Sequence, residues 1–187
     1  MKLKEMLKKV LALIEELNPE SALLTDDPDI AAKIRDVINQ VMFECARMKK
    51  IPKLVVLPVT AGQILEYDEI ANACGFDIYQ VVRVAGVNYE LWAGGTVLEI
   101  LDSGTAKIDV FIYPKPIGED TNADEYEFVL SRDVLEIMPY GVAADLLKTD
   151  VSSGNGEVFA RQYKEMLQRL DPRYHTGLLT FEGGVTV

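Results

Sequence analysis

The chain is poor in the residue types that most enzymes use for catalysis and metal binding. Its 187 residues include one histidine, His175, and two cysteines, Cys45 and Cys74. One histidine and two scattered cysteines supply too few ligands for a zinc site. The spacing of the cysteines lacks a C-x-x-C motif and favours two buried free thiols over a disulfide. We therefore predict that the protein holds no metal and no cofactor.

Common catalytic and phosphate-binding motifs are also missing. No G-x-S-x-G elbow presents a serine that His175 would activate. The glycine-rich stretches 93–96 and 152–156 lack both the lysine of a P-loop and the spacing of a dinucleotide fingerprint. We expect turns at both stretches and no enzymatic activity.

The sequence has fewer basic than acidic residues, and it contains no long apolar run. Thirty acidic residues stand against 19 basic ones, which gives a net charge of −11. Such a chain repels phosphate groups, so a nucleic-acid-binding role is disfavoured. No apolar run reaches the length of a membrane span, so we predict no contact with a membrane. Lysines and glutamates interrupt residues 1–17, which predicts that this segment is not a signal peptide.

Helical periodicity is found toward both ends of the sequence. Asp27 suits the N-cap of one such helix and Pro28 suits its first position. The last two helices are joined by a polar turn, which predicts an antiparallel pair. We expect a four-helix body around one apolar core, built from residues 1–50 and 126–172. Its predicted helices are 2–17, 28–49, 132–149 and 157–170.

Between the second and third long helices the pattern becomes that of β-strands. Asp102-Ser-Gly-Thr105 separates two such runs and predicts a β-hairpin. On the second run Ile108, Val110 and Ile112 share one face, and the aromatic residues on the strands are expected in the core. Residues 63–75 also fit a helix that Gly75 ends, and Pro58 argues for an edge strand. The segment 53–116 is therefore predicted to be a small antiparallel β module.

The predicted fold class is α+β, in one domain spanning residues 1–187. A β module is inserted into a bundle of about four helices, and residues 173–187 form an extended C-terminal arm. This arm is β-prone, and we expect it to form either an extra strand or an arm that adds to the sheet edge of a neighbouring molecule. Its candidate partner-binding residues are Leu178, Leu179, Phe181, Val185 and Val187.

One enzymatic hypothesis stays open at Asp102. The stretch Asp102-Ser-Gly-Thr105 resembles the active-site loop of retroviral-type aspartic proteases, in which two loops bring carboxylates together. A single copy would need a symmetric dimer. Asp, Ser and Gly are also the ordinary residues of a hairpin turn, which is the simpler interpretation. A third hypothesis is a monomeric module that binds a small ligand.

Five segments carry a resemblance to a known family. They are Val37–Val41, Tyr89–Gly95, Val110–Pro116, Met138–Leu147 and Phe159–Leu167. In order and type they are similar to the head–tail connector proteins of tailed bacteriophages, also called adaptor or head-completion proteins. The resemblance covers residues 30–170, and its motifs are packing patterns rather than catalytic ones.

The resemblance implies a structural virion protein made in the host bacterial cytoplasm. About twelve copies would form a ring at the head–tail interface, with the portal protein above and a stopper or tail protein below. Packaged DNA would pass through the ring without specific binding. Residues 176–187 would act as the docking arm. A stopper or tail-completion protein is the alternative within the same class.

Overall fold

The computed structural model describes residues 1–21, 24–92, 97–149 and 154–170. Within them the chain forms five α-helices and six β-strands. The helices are α1 (Leu3–Leu13), α2 (Pro28–Met48), α3 (Tyr67–Cys74), α4 (Arg132–Leu146) and α5 (Asn155–Leu170). The strands are β1 (Ile51–Val59), β2 (Ile64–Glu66), β3 (Ile78–Ala85), β4 (Tyr89–Trp92), β5 (Val97–Ile100) and β6 (Gly104–Ile112).

The start of α2 is confirmed, whereas α1 is shorter than predicted. Asp27 Oδ1 accepts hydrogen bonds from the backbone N–H groups of Asp29 at 2.8 Å and Ile30 at 3.2 Å. These bonds satisfy two of the free donors at the helix N-terminus. α1 ends at Leu13 instead of residue 17, and Glu15 has a φ of 63°, which is incompatible with continuing the helix.

The predicted four-helix bundle is wrong, because α5 does not complete a four-helix core. The buried helical core comes from α1, α2, α4 and part of the segment 117–130. α5 lies against α4, and none of its described residues is buried. The two helices run antiparallel, since Gly141 lies against Tyr163 and Leu147 against Gly156. α5 is therefore a helix on the outside of a three-helix core.

The middle of the chain forms two three-stranded antiparallel sheets instead of one small β module. In the first sheet β6 lies between β1 and β3, and in the second β5 lies between β2 and β4. α3 packs against β1, β2 and β3 and buries Ile70 in a core shared by both sheets. This core is separate from the helical one. The chain is α+β, as predicted, but the predicted architecture of a four-helix bundle with one small β module is wrong.

The two sheets are connected strand by strand. β1 leads into β2, β3 into β4 and β5 into β6, and each pair occupies the same position in its sheet. These strands therefore form one three-stranded ribbon that folds over on itself, which we call the β ribbon. The inner faces of both halves meet in one core, which includes Val55, Leu98, Ile108 and Val110. The outer faces point away from that core on different sides of the β ribbon.

Connections between the sheets lie side by side where the β ribbon folds. The Asp102 carboxylate accepts hydrogen bonds from the backbone N–H of Asn88 at 2.6 Å and from Asn88 Nδ2 at 3.0 Å. The Ser103 hydroxyl accepts a bond of 3.0 Å from the Ala61 N–H. The hairpin predicted at residues 102–105 is therefore wrong, because β5 and β6 belong to different sheets and do not pair with each other.

Other local predictions in the β region are confirmed. Gly75 ends α3 with a left-handed φ of 72°. Pro58 lies in β1, which is an edge strand of the first sheet. Ile108, Val110 and Ile112 are buried on the inner face of β6. Turn chemistry and period-two alternation therefore predicted the local geometry correctly.

Alanine is expected to have different costs at two glycines of the β ribbon. Gly86 has a φ of 91°, and a Cβ there would lie 2.4 Å from the Thr105 carbonyl oxygen. Gly62 has a φ of 80°, and a Cβ there would meet no atom within 4 Å. We expect Gly62→Ala to lower the free energy of unfolding by about 1–2 kcal/mol. Gly86→Ala should lower the free energy of unfolding clearly more, because the backbone at Thr105 must also move. Equal decreases for the two variants in denaturant titrations would contradict this packing.

Candidate interaction surface

The residues that the structure describes include no candidate metal site. No group of three or more His, Cys, Asp or Glu side chains in that part could hold a metal ion. His175 and the arm residues Leu178, Leu179, Phe181, Val185 and Val187 lie outside the described residues. Their predicted roles, and the assignment of residues 1–187 to a single domain, stay predictions.

Asp102, the residue of the aspartic protease hypothesis, stabilises the bend between the two sheets of the β ribbon. Both of its carboxylate oxygens accept hydrogen bonds from Asn88. A protease would instead need this carboxylate to face a second one and share a proton with it. The bonds to Asn88 explain why an aspartate stands here, and no observation on the described residues favours proteolysis.

A buried thiol and a partly buried phenol meet where α5 contacts α2. Cys45 Sγ lies 3.6 Å from the Tyr163 hydroxyl, which donates a hydrogen bond of 2.7 Å to Glu44 Oε2. Burial raises the pKa of Cys45 to about 12. Burial, together with the nearby Cys45 and Glu44, also raises the pKa of Tyr163. Both groups therefore stay protonated at neutral pH and are poor nucleophiles, and the contact serves to hold α5 on the helical core.

The first sheet presents an apolar surface to solvent. Leu54, Val56 and Val82 are each more than half exposed, and Phe111 of the central strand lies between β1 and β3. Scattered apolar residues are normal on a surface, but adjacent ones mark interaction sites. We call this surface the first outer face; it consists of Leu54, Val56, Val82, Arg83, Lys107, Asp109 and Phe111.

The first outer face carries an excess of positive charge. Arg83 and Asp109 pair at 2.9 Å and neutralise each other. Lys107 is exposed and makes no ion pair with any described residue. Lys50 lies at the edge of the face, with its Nζ 5.1 Å from the centre of the Phe111 ring. Lys50 likewise pairs with no acidic group in the part of the chain that the structure describes.

The outward side of the second sheet is apolar and acidic. Ile64 and Trp92 are each more than half exposed. Glu90 and Glu99 stand directly opposite each other on β4 and β5, an arrangement that destabilises an isolated sheet. No glutamate of this surface makes an ion pair with a described residue. We call the surface the second outer face; it consists of Ile64, Glu66, Glu90, Trp92, Val97 and Glu99.

Neither outer face was predicted from the sequence. The aromatic residues of the strands were expected in the core, whereas Tyr79 and Trp92 are exposed. A signal was present in residues 54–57, which are apolar at four consecutive positions. Side chains alternate between the two faces of a strand, so an edge strand of this composition carries apolar side chains on both faces.

Comparisons with known proteins identify no family for this chain. No protein-family model matches it, and no curated protein sequence matches it significantly. The helices within the described residues include none that is both long enough and apolar enough to cross a membrane. The geometry of the two outer faces is therefore the main guide to function.

The two thiols are expected to react at different rates in the folded protein. Cys45 is buried and its raised pKa leaves almost no thiolate at neutral pH. Cys74 is only partly buried, and its Sγ donates a hydrogen bond of 3.2 Å to the Phe76 carbonyl oxygen. We expect iodoacetamide to modify Cys74 at least about tenfold faster than Cys45. Peptide mass spectrometry measures both rates; similar rates without denaturant would contradict the packing of α5.

Proposed function

We propose that this chain is a non-enzymatic structural subunit that assembles with copies of itself through the outer faces of its β ribbon. The observation that supports this most directly is the presence of two exposed apolar faces on one folded ribbon. Removing apolar surface from water stabilises a complex by about 25 cal/mol per Å². Leu54, Val56, Val82, Ile64 and Trp92 therefore provide a driving force for association.

The setting that we propose is the head–tail interface of a tailed bacteriophage virion. This rests on the resemblance to connector proteins, whose subunits form a ring of about twelve copies between the portal and the tail. The net charge of −11 suits a channel for DNA, because phosphates are repelled rather than bound. A stopper or tail-completion protein would have similar surfaces and is the alternative within this class.

The proposal is tested by the mass of the particles that the purified chain forms. Sedimentation velocity over a wide range of concentrations, with and without portal protein, should show growth from a monomer to a closed ring. Electron microscopy of the largest species should show a central channel. Direct binding to the portal favours an adaptor, whereas binding only to an adaptor–portal complex favours a stopper. A chain that stays monomeric under all these conditions would refute the proposed function.

A charge placed on the first outer face should weaken assembly without unfolding the chain. Val56→Asp adds a carboxylate among exposed apolar side chains, which would have to lose its water in the contact. Val129 is also exposed but lies outside both outer faces, so Val129→Asp is the matched control. We expect Val56→Asp to raise the apparent dissociation constant at least about tenfold and the control to leave it unchanged. Equal behaviour of the two variants would exclude this face from assembly.

A further inference from the structure

The two outer faces carry opposite charge, and this difference indicates how copies of the chain meet. We propose that the first outer face of one copy binds the second outer face of the next copy. This inference rests on the proposed function, because it names the partner of each face. It makes the contact between subunits a contact between two different surfaces.

Charge complementarity supports a second copy as the occupant of each face. On and beside the first outer face, Lys50 and Lys107 have no acidic partner among the described residues. On the second outer face, Glu66, Glu90 and Glu99 have no basic partner in the same part of the chain. Bringing the two faces together places unpaired cations against unpaired carboxylates and covers apolar side chains on both sides.

Contacts between identical faces are disfavoured by the same charges. Because Arg83 and Asp109 neutralise each other, two first outer faces would bring together the unpaired charges of Lys50 and Lys107. Two second outer faces would bring Glu90 and Glu99 against glutamates. Like charges across an interface oppose association and act against the wrong pairing. Copies with a net charge of −11 repel each other overall, and a locally complementary contact reduces that repulsion whereas a contact between like charges adds to it.

The contact is head-to-tail, because it joins two different faces that lie on different sides of the β ribbon. Because the outer faces lie on different sides of the core that both sheets share, a copy bound through one face keeps the other face free, and a pair of copies keeps one free face of each kind. A contact between two different surfaces therefore continues from copy to copy and forms a ring when the rotation closes. The geometry is consistent with a ring and does not require a symmetric dimer.

The contact between two copies is expected to be small and sensitive to salt. Three strands of about four residues give the second outer face dimensions of about 14 Å by 13 Å. That area is well below the roughly 800 Å² per partner of a standard interface. Two copies alone should therefore bind weakly. Closure of the ring adds one more contact without adding another copy, and this contact should stabilise the complete ring. Partly exposed charges are screened at physiological salt, so the association of copies should be measured at low ionic strength.

Charge exchange at the two central strands tests the pairing. Lys107→Glu reverses a charge on the first outer face, and Glu99→Lys reverses one on the second. The two changes move the net charge in opposite directions, so a general charge effect would weaken one variant and strengthen the other. We expect each variant alone to lose association at least about tenfold in sedimentation velocity. The double variant, and an equimolar mixture of the two single variants, should regain it.

Each outcome of this experiment separates the pairing from the proposed function. Restoration in the mixture supports the pairing and also shows that each single variant is folded. Wild-type association in either single variant, or no restoration in both the mixture and the double variant, overturns the pairing but leaves assembly standing. If the wild-type chain never associates, both the pairing and the proposed function fail. Circular dichroism melting of each variant gives an independent measure of folding.

Discussion

Burial of the inner faces of the β ribbon is the constraint on which the rest of the structure depends. A sheet of strands as short as β2, β4 and β5 has little area of its own and depends on packing its apolar face against another element. Folding the ribbon lets the two inner faces cover each other and share one core with α3. The hydrogen bonds from Asn88 to Asp102 and the close approach of Gly86 to Thr105 hold the chain where it folds.

This arrangement separates the surface that we propose for assembly from the helical core that supports it. The helical core of α1, α2 and α4 buries its own apolar residues, and Ile51 packs against both cores. The rings of Phe43 and Tyr113 meet edge to face 6.1 Å apart, and Tyr113 meets Tyr79 of β3 at 5.3 Å. These contacts join the helices to the β ribbon, while the outer faces of the ribbon stay open to solvent.

Local chemistry was predictable from the sequence, and long-range pairing was not. Asp27, Pro28 and Gly75 act through neighbouring backbone groups, so their roles could be inferred from a few residues. Asp, Ser and Gly suit a bend between sheets as well as a hairpin, and only the pairing of β6 with β1 and β3 decides between them. An amphipathic pattern also does not say how deeply a helix is buried, which is why α5 was misplaced. The four consecutive apolar residues 54–57 indicate an apolar outer side for one strand, but the composition of each outer face depends on which strands lie side by side.

We propose that the second outer face is covered when copies of the chain meet. Trp92 is the only tryptophan and lies exposed on that face, so its fluorescence reports on the contact directly. We expect the Trp92 emission to shift to shorter wavelength as concentration drives association, in step with the growth in mass. Growth in mass with unchanged Trp92 emission and unchanged access to a soluble quencher would contradict it.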